Sequence, residues 1–134
     1  MLQPEITLST TDFDRLDALL SKTSEDIPGY SKLSQELERA NLVAPEQLPD
    51  NVVSMNSTVR FRLANGKTTT LTLVYPKDLD QSGSKISVLA PVGSALLGLK
   101  AGDTIHWPLP DGEMSSITVE ELLYQPEREG LYHR

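Results

Sequence analysis

Two stretches near the start of the chain carry apolar residues at the three-and-four spacing of a helix. One stripe consists of Phe13, Leu16, Leu19 and Leu20, and the other of Tyr30, Leu33, Leu37 and Ala40. The segment 24–29 separates them and ends in Pro28-Gly29, a typical turn dipeptide. The pattern predicts a short antiparallel helical hairpin, about 15–18 Å long at about 1.5 Å per residue.

Local signals mark the ends of the two predicted helices. Residues 6–8 predict a short extended lead-in, after which Thr11 offers an N-cap hydroxyl with Asp14 three residues further on. Lys22 closes the first helix. Pro45 stops the second helix from continuing, because proline lacks the backbone N–H that a helix needs.

An alternation of apolar and polar residues follows and predicts about five strands. The apolar positions are Val59, Phe61 and Leu63; Leu71, Leu73 and Tyr75; Ile86, Val88 and Leu89; Ile105, Trp107 and Leu109; and Ile117, Val119, Leu122 and Tyr124. Between the third and fourth strands, residues 94–97 predict a single helical turn.

Turn residues connect the predicted strands. Asn65-Gly66 predicts a type I′ hairpin turn, and Pro110-Asp111-Gly112 predicts a second turn. Glu121-Leu122-Leu123 disturbs the alternation of the last strand, which indicates a β-bulge. We therefore expect an α+β protein, with a helical hairpin in residues 1–48 and an antiparallel sheet domain with one short helix in residues 49–134.

The negative charge is concentrated at the start of the 134-residue chain, whose net charge is −7. Residues 1–50 hold ten acidic and four basic residues, a net charge of −6. This balance argues against sequence-specific nucleic-acid binding, which needs Lys and Arg at the phosphates. It suits a protein partner with a basic surface, although solubility alone also explains it.

Several classes of function lack their usual residues. Cysteine is absent and histidine occurs twice, so we expect no metal and no cofactor. No apolar run approaches the roughly 20 residues of a membrane span, and no secretion signal precedes the first helix. We expect a cytoplasmic protein without a membrane partner.

The catalytic candidates are few, and we expect no enzyme. His106 is a possible general base, but we interpret it as a surface or edge histidine; His133 lies in the tail. Glu25 and Asp26, at the tip of the hairpin, suit either a divalent cation or solvent. The glycines lack the spacing of a phosphate-binding loop.

The segment 88–98 is apolar but contains a proline and two glycines, so part of it must be a loop. Apolar loops at a surface often mark partner sites. We expect Leu96 and Leu97 to pack mostly inward, and Pro91 and Val92 to face a partner.

This segment also resembles a known family. Residues 90–98 and 101–103 resemble a block of the C-terminal domain of the Gre transcript-cleavage factors, with Ala90 and Val92 in place of that block's Ser and Leu. The wider chain resembles the regulator of nucleoside diphosphate kinase family, which joins a short helical hairpin to an FKBP-like domain. The stretches that carry this likeness are Met55-Asn56-Ser57, Leu73-Val74-Tyr75-Pro76, Ile105-His106-Trp107 and residues 121–127.

The resemblance implies a transcription regulator that binds bacterial RNA polymerase at the rim of its secondary channel. Gre factors insert a long coiled coil whose acidic tip helps to hold a catalytic metal. The predicted hairpin is too short for that role. We therefore expect this protein to compete with Gre factors without stimulating cleavage.

The same resemblance implies a set of contact residues and leaves two other functions open. We expect Pro91, Val92, Gly93 and Leu96 at the rim, with Glu25 and Asp26 facing basic residues at the channel mouth. An effect on nucleoside diphosphate kinase would then be indirect, through transcription; the alternative is direct regulation of that kinase. A peptidyl-prolyl isomerase is a third interpretation, which Trp107 at the base of a shallow pocket would favour.

Overall fold

Three α-helices and two sheets make up the fold of the residues that the structure describes. The structure, a computed structural model, describes residues 5–27, 29–108 and 114–131. The helices are α1 (Thr10–Ser21), α2 (Tyr30–Arg39) and α3 (Pro91–Leu96). The strands are β1 (Thr7–Ser9), β2 (Asn41–Val43), β3 (Thr58–Leu63), β4 (Thr68–Val74), β5 (Lys85–Ser87), β6 (Thr104–Pro108) and β7 (Met114–Tyr124).

The N-cap of α1 lies two residues before the predicted one. Ser9 is the N-cap, because it has extended backbone angles and its Oγ accepts a hydrogen bond of 3.0 Å from the backbone N–H of Asp12. Thr11 lies inside the helix, so the predicted capping role of Thr11 with Asp14 is wrong. The predicted end is confirmed, since Lys22 is the C-cap.

The extended lead-in is a strand with a partner that the sequence did not indicate. β1 pairs in parallel with β2, with Thr7 opposite Asn41 and Ser9 opposite Val43. Helices α1 and α2 lie between these strands along the chain and contact each other. The antiparallel arrangement of the two helices stays a prediction.

The larger sheet has five strands in the order β5-β4-β3-β7-β6. All its pairs are antiparallel except β4 with β5, which run parallel. The prediction of a fully antiparallel sheet is therefore wrong at this edge. After β4 the chain passes through a short 3-10 helix at Pro76–Asp78. Strand β5 then runs in the same direction as β4, so the two strands do not form a hairpin.

The β3–β4 hairpin is confirmed, but its turn type is not. Gly66 has a φ of 87°, whereas Asn65 is not among the non-glycine residues with positive φ. A type I′ turn needs positive φ at both central residues. The backbone N–H of Gly66 donates to the carbonyl of Leu63 at 2.9 Å, so the turn spans residues 63–66, one residue earlier than predicted.

The predicted bulge in the last strand is confirmed, and a second one accompanies it. Along β7, Leu122 and Tyr124 pair with consecutive residues of β3, so Leu123 bulges out; Glu120 is skipped in the same way. The bulges explain why the alternation of apolar residues fails there.

Three of the predicted features lie outside the described residues: Leu109, the turn Pro110-Asp111-Gly112 and His133.

Helix α3 is longer than the single turn predicted for residues 94–97. It begins at Pro91, a favourable first helical position because no intrahelical partner exists there for an N–H. Val88 and Leu89, expected within a strand, follow the end of β5 instead.

Among the described residues, no helix combines the length and apolar character needed to cross a bilayer.

One hydrophobic core joins the helices to the larger sheet. Leu16 and Leu33 of the helices belong to the same buried cluster as Phe61, Leu73 and Ile117 of the sheet. The short helices α1 and α2 are stabilised by this burial, since helices of this length are marginal alone. The division between residues 48 and 49 therefore describes chain organisation, and its role as a folding boundary stays a proposal.

Candidate functional site

The acidic pair predicted at the hairpin tip lies in the connection between α1 and α2. Glu25 and Asp26 are both exposed, and the backbone N–H of Asp26 donates to Ser24 Oγ at 3.3 Å. Ile27 follows, with 43% of its surface exposed. The described part of the chain has no group of three or more His, Cys, Asp or Glu side chains that could hold a metal ion.

Gly29 brings this connection against the segment that precedes α3. It is the N-cap of α2 and has a φ of 92°, a conformation that glycine adopts without strain. A Cβ on Gly29 would overlap the backbone carbonyl oxygen of Leu89. Helices α2 and α3 also contact each other. The two parts of the predicted site, far apart in sequence, therefore meet on one side of the molecule.

The four predicted rim residues have different environments. Val92 is half-buried and packs against the core, so part of its side chain is accessible. Leu96 is 0% exposed, which makes it a core residue rather than a contact. Gly93 is buried against the Ser87 carbonyl, where a Cβ would not fit. Pro91 begins α3, and its side chain lies outside the described parts.

The prediction of Leu96 as a rim contact is thus corrected, because its side chain fills the space between α3 and the sheet. Leu89 and Ile27 were missed. Together with Val92 they supply apolar surface next to the acidic pair. We call the set Glu25, Asp26, Ile27, Leu89 and Val92 the tip surface. The Gly29–Leu89 approach that defines it has no local sequence signal, since it joins distant segments.

A second functional feature absent from the sequence prediction is the buried carboxyl group of Asp12. This residue is 2% exposed, and its Oδ2 accepts a hydrogen bond of 3.0 Å from the backbone N–H of Met55. The pKa of Asp12 is raised from its usual 3.8 to about 7, chiefly because burial disfavours the charged form and to a smaller extent because of the nearby Glu127 charge. The Met55 N–H and the Arg15 charge act in the opposite direction.

Met55, whose backbone N–H donates to the carboxyl group of Asp12, lies in a turn formed by the Met55-Asn56-Ser57 stretch. The backbone N–H of Ser54 donates to Ser57 Oγ at 3.0 Å, and Ser54 Oγ donates to Glu127 Oε1 at 2.7 Å. Asn56 has a φ of 66°, in the left-handed region that asparagine tolerates better than most residues. This turn therefore joins the start of α1 to the segment after β7.

Gln125, which follows β7, forms hydrogen bonds to the segment just before this turn. Its side chain is 0% exposed, and Nε2 donates to the carbonyls of Pro49 and Val52 at 2.8 and 2.6 Å. The sequence stretches that carry the family resemblance thus take part in long-range polar contacts, of which the Asp12–Met55 hydrogen bond joins residues 1–48 to residues 49–134. No periodicity indicates such contacts, because each depends on a residue at least 40 positions away.

The remaining candidates lie elsewhere. His106 is on β6, an edge strand, opposite Ser116, which confirms the interpretation as an edge histidine. Its half-buried side chain is not part of the tip surface. The side chain of Trp107, which would favour an isomerase pocket, lies outside the described parts.

Comparison with known proteins finds two family descriptions that match separate parts of the chain. Residues 48–124 match the family described as transcription elongation factor GreA/GreB, C-terminal, and residues 4–43 match the family described as Rnk N-terminus. A regulator of nucleoside diphosphate kinase from Escherichia coli (strain K12) is 46% identical over 134 residues, covering 98% of both chains.

Two further relatives carry the elongation-factor description. A transcription elongation factor GreA from Christiangramia forsetii is 33% identical over 91 residues, which cover 67% of this chain and 58% of that protein. A solved structure described as prokaryotic transcription elongation factor GreA/GreB from Nitrosomonas europaea is 51% identical, with a TM-score of 0.72. The match covers 91% of this chain and 100% of that one.

The fold and the matches define a class of protein in which two short helices precede a GreA/GreB-type C-terminal region. Two findings identify the family within this class: the match of residues 4–43 to the Rnk N-terminus and the 46% identity to the Escherichia coli protein over 134 residues. The chain belongs to the regulator of nucleoside diphosphate kinase family.

Proposed function

We propose that this protein binds RNA polymerase at the rim of the secondary channel and competes there with Gre factors without stimulating transcript cleavage. The observation that carries the proposal is a GreA/GreB-type C-terminal region joined to helices of only 12 and 10 residues. The first part supplies a docking domain, and the second supplies too little length for catalysis inside the channel. Such a protein acts in the cytoplasm.

The tip surface is the proposed docking site. It combines the exposed face of Ile27 with the accessible parts of Leu89 and Val92, beside the two acidic side chains. Apolar contact supplies the affinity, and the acidic pair selects a basic partner surface. Pro91 and Gly93 shape the start of α3 within this site, and Leu96 anchors it to the core.

The length of the helices supports the absence of cleavage activity. At about 1.5 Å per residue, α1 extends about 18 Å and α2 about 15 Å. Glu25 and Asp26 therefore stay close to the domain that docks. In this position they block or contact the channel mouth, whereas a cleavage factor has to deliver its acidic residues to the distant active site.

Binding to core RNA polymerase tests the docking site through a matched pair of variants. Ile27→Glu places a charge on the tip surface, where the side chain is 43% exposed, and should weaken binding at least about tenfold. Leu42→Glu makes the same change on β2, away from the tip, at a side chain that is 46% exposed. Equal binding by the two variants would reject the tip surface.

The names of the relatives that match over nearly the whole chain support a second candidate, the direct regulation of nucleoside diphosphate kinase. In the main proposal the effect on this kinase is indirect, through transcription. A pull-down with the wild-type protein separates the two. Recovery of the kinase without polymerase favours direct regulation, whereas recovery of polymerase alone supports the indirect route.

A further inference from the structure

A groove of about 720 Å³ lies between the second half of α1 and the segment that follows β4. It is separate from the tip surface, with which it shares no residue. Its volume falls in the usual range of small-molecule sites, roughly 300–1,000 Å³. The groove is not used by the proposed docking to RNA polymerase.

Basic side chains dominate the charge of the groove. Arg15, Lys22 and Lys77 line it, and Asp78 is the acidic residue among its lining side chains. This is a local excess of positive charge in a chain whose net charge is −7. Within the described ranges, Lys22 and Lys77 form no ion pair, as is also true of Lys67 and Lys100. Both lysines are exposed, so their ammonium groups are accessible to an anion.

Apart from the polar residue Asn56, the rest of the lining is apolar or aromatic. Ala18 and Leu19 line the groove from α1, and Tyr75 and Pro76 line it from the end of β4. A proline ring, a tyrosine ring and a leucine side chain give a planar apolar ligand surfaces to pack against. Cationic groups beside such surfaces suit a ligand that has both a phosphate and a ring.

We propose that this groove binds a phosphorylated small molecule of nucleotide size. Its phosphates lie between Lys22 and Lys77, and its ring lies against Leu19, Tyr75 and Pro76. Arg15 is a third cation in the lining, beside the half-buried Tyr75. A bound ligand would touch both α1 and the sheet domain, and would therefore stabilise their packing.

Isothermal titration with ADP, adenosine and pyrophosphate tests the two halves of the proposed site. ADP is expected to bind saturably and at least about tenfold more tightly than either fragment, because it alone satisfies both the cationic and the apolar parts. Backbone amide shifts of Leu19 and Tyr75 should move with the same saturation. The absence of saturable ADP binding up to millimolar concentration would overturn the proposal, as would equal binding by pyrophosphate.

Charge-reversal variants locate the binding. Lys22→Glu combined with Lys77→Glu should weaken ADP binding at least about tenfold, because charge-assisted hydrogen bonds to phosphate are lost. Lys67→Glu is the control, since Lys67 is exposed in the β3–β4 turn, outside the groove. Equal affinity in the double variant and the control would contradict the site. Displacement of ADP by an equal concentration of a glutamate-rich peptide would assign the groove to a protein partner instead.

Discussion

The carboxyl group of Asp12 is the most unusual ionisable group at the residue scale. It is buried where α1 meets the Met55 turn, and its pKa is raised to about 7 because burial disfavours the charged form. The raised value means that the folded protein holds this proton more tightly than the unfolded chain does. Asp12 therefore favours folding at low pH, and this contribution is lost as the pH rises through about 7.

Asp12→Asn should remove this pH dependence. The amide stays neutral, and its oxygen can still accept the hydrogen bond from Met55 N–H. Between about pH 4 and pH 7.5 the variant should gain stability relative to the wild type, by on the order of 3 kcal/mol. Urea unfolding at a series of pH values measures this difference. Parallel pH profiles for the two proteins would contradict the assignment.

Gly29 is the residue on which the tip surface depends. Gly29→Ala combines a positive φ with an overlap between the new Cβ and the Leu89 carbonyl. We expect a loss of about 2–4 kcal/mol of unfolding free energy together with weaker polymerase binding. Gly83→Ala is the control, because Gly83 has a φ of 78° but no atom near its Cβ position. Chemical denaturation measures both variants, and Gly83→Ala should lower the free energy of unfolding by only about 1 kcal/mol. Equal decreases for the two variants would show that the overlap with the Leu89 carbonyl costs nothing.

At the element scale, residues 49–57 form the second part of the connection between β2 and β3 and contact both α1 and the segment after β7. Asp12 bonds to this connection from one side, while Gln125 and Glu127 bond to it from the other. Removal of a buried donor leaves carbonyl groups without their hydrogen bonds, which costs more than the average net value of a bond. The connection is thus held by side chains in addition to backbone hydrogen bonds, which include a β-bridge between Val52 and Lys100.

Gln125→Ala tests this connection. The variant loses two hydrogen bonds, one of them to the carbonyl of the buried Val52, so we expect a decrease of about 2–3 kcal/mol in the free energy of unfolding. Gln47→Ala is the matched change at an exposed glutamine of the Pro45–Gln47 turn and should stay within about 0.5 kcal/mol of the wild type. Thermal unfolding followed by circular dichroism measures both, and similar values would deny Gln125 this role.

The elements show which features a single sequence predicts. The stripes through Leu16 and Leu33 and the alternation through Phe61 predicted helices and strands that the structure contains, because these periodicities report burial of one face. The β1–β2 pairing and the parallel β5 were not predicted, since they depend on segments brought together by folding. The same reason explains why Asp12 and Leu89 were missed at the sites.

At the scale of the whole molecule, charge and shape support one mode of association. The acidic excess lies in the first 50 residues, and the exposed pair Glu25 and Asp26 is next to the apolar part of the tip surface. An approach to a basic partner is accelerated by this charge, and the apolar contacts then hold the complex. The groove on α1 stays accessible at a separate surface.

Salt dependence tests the electrostatic part of this mode. Raising the salt concentration from about 50 to about 300 mM should weaken polymerase binding, because exposed charges are screened. Glu25→Gln combined with Asp26→Asn should lower the affinity at low salt and reduce the slope with salt. A slope unchanged by the double variant, in a fluorescence binding assay, would remove these two residues from the contact.

Competition for core RNA polymerase tests the central claim most directly. A labelled Gre factor is bound to the polymerase and this protein is titrated in, with Ile27→Glu and Leu42→Glu as the variant and its control. We expect complete displacement by the wild type and Leu42→Glu, weaker displacement by Ile27→Glu, and no stimulation of transcript cleavage in stalled complexes. Retention of the labelled factor at high micromolar concentrations of the wild-type protein would contradict a shared site and the proposed function with it.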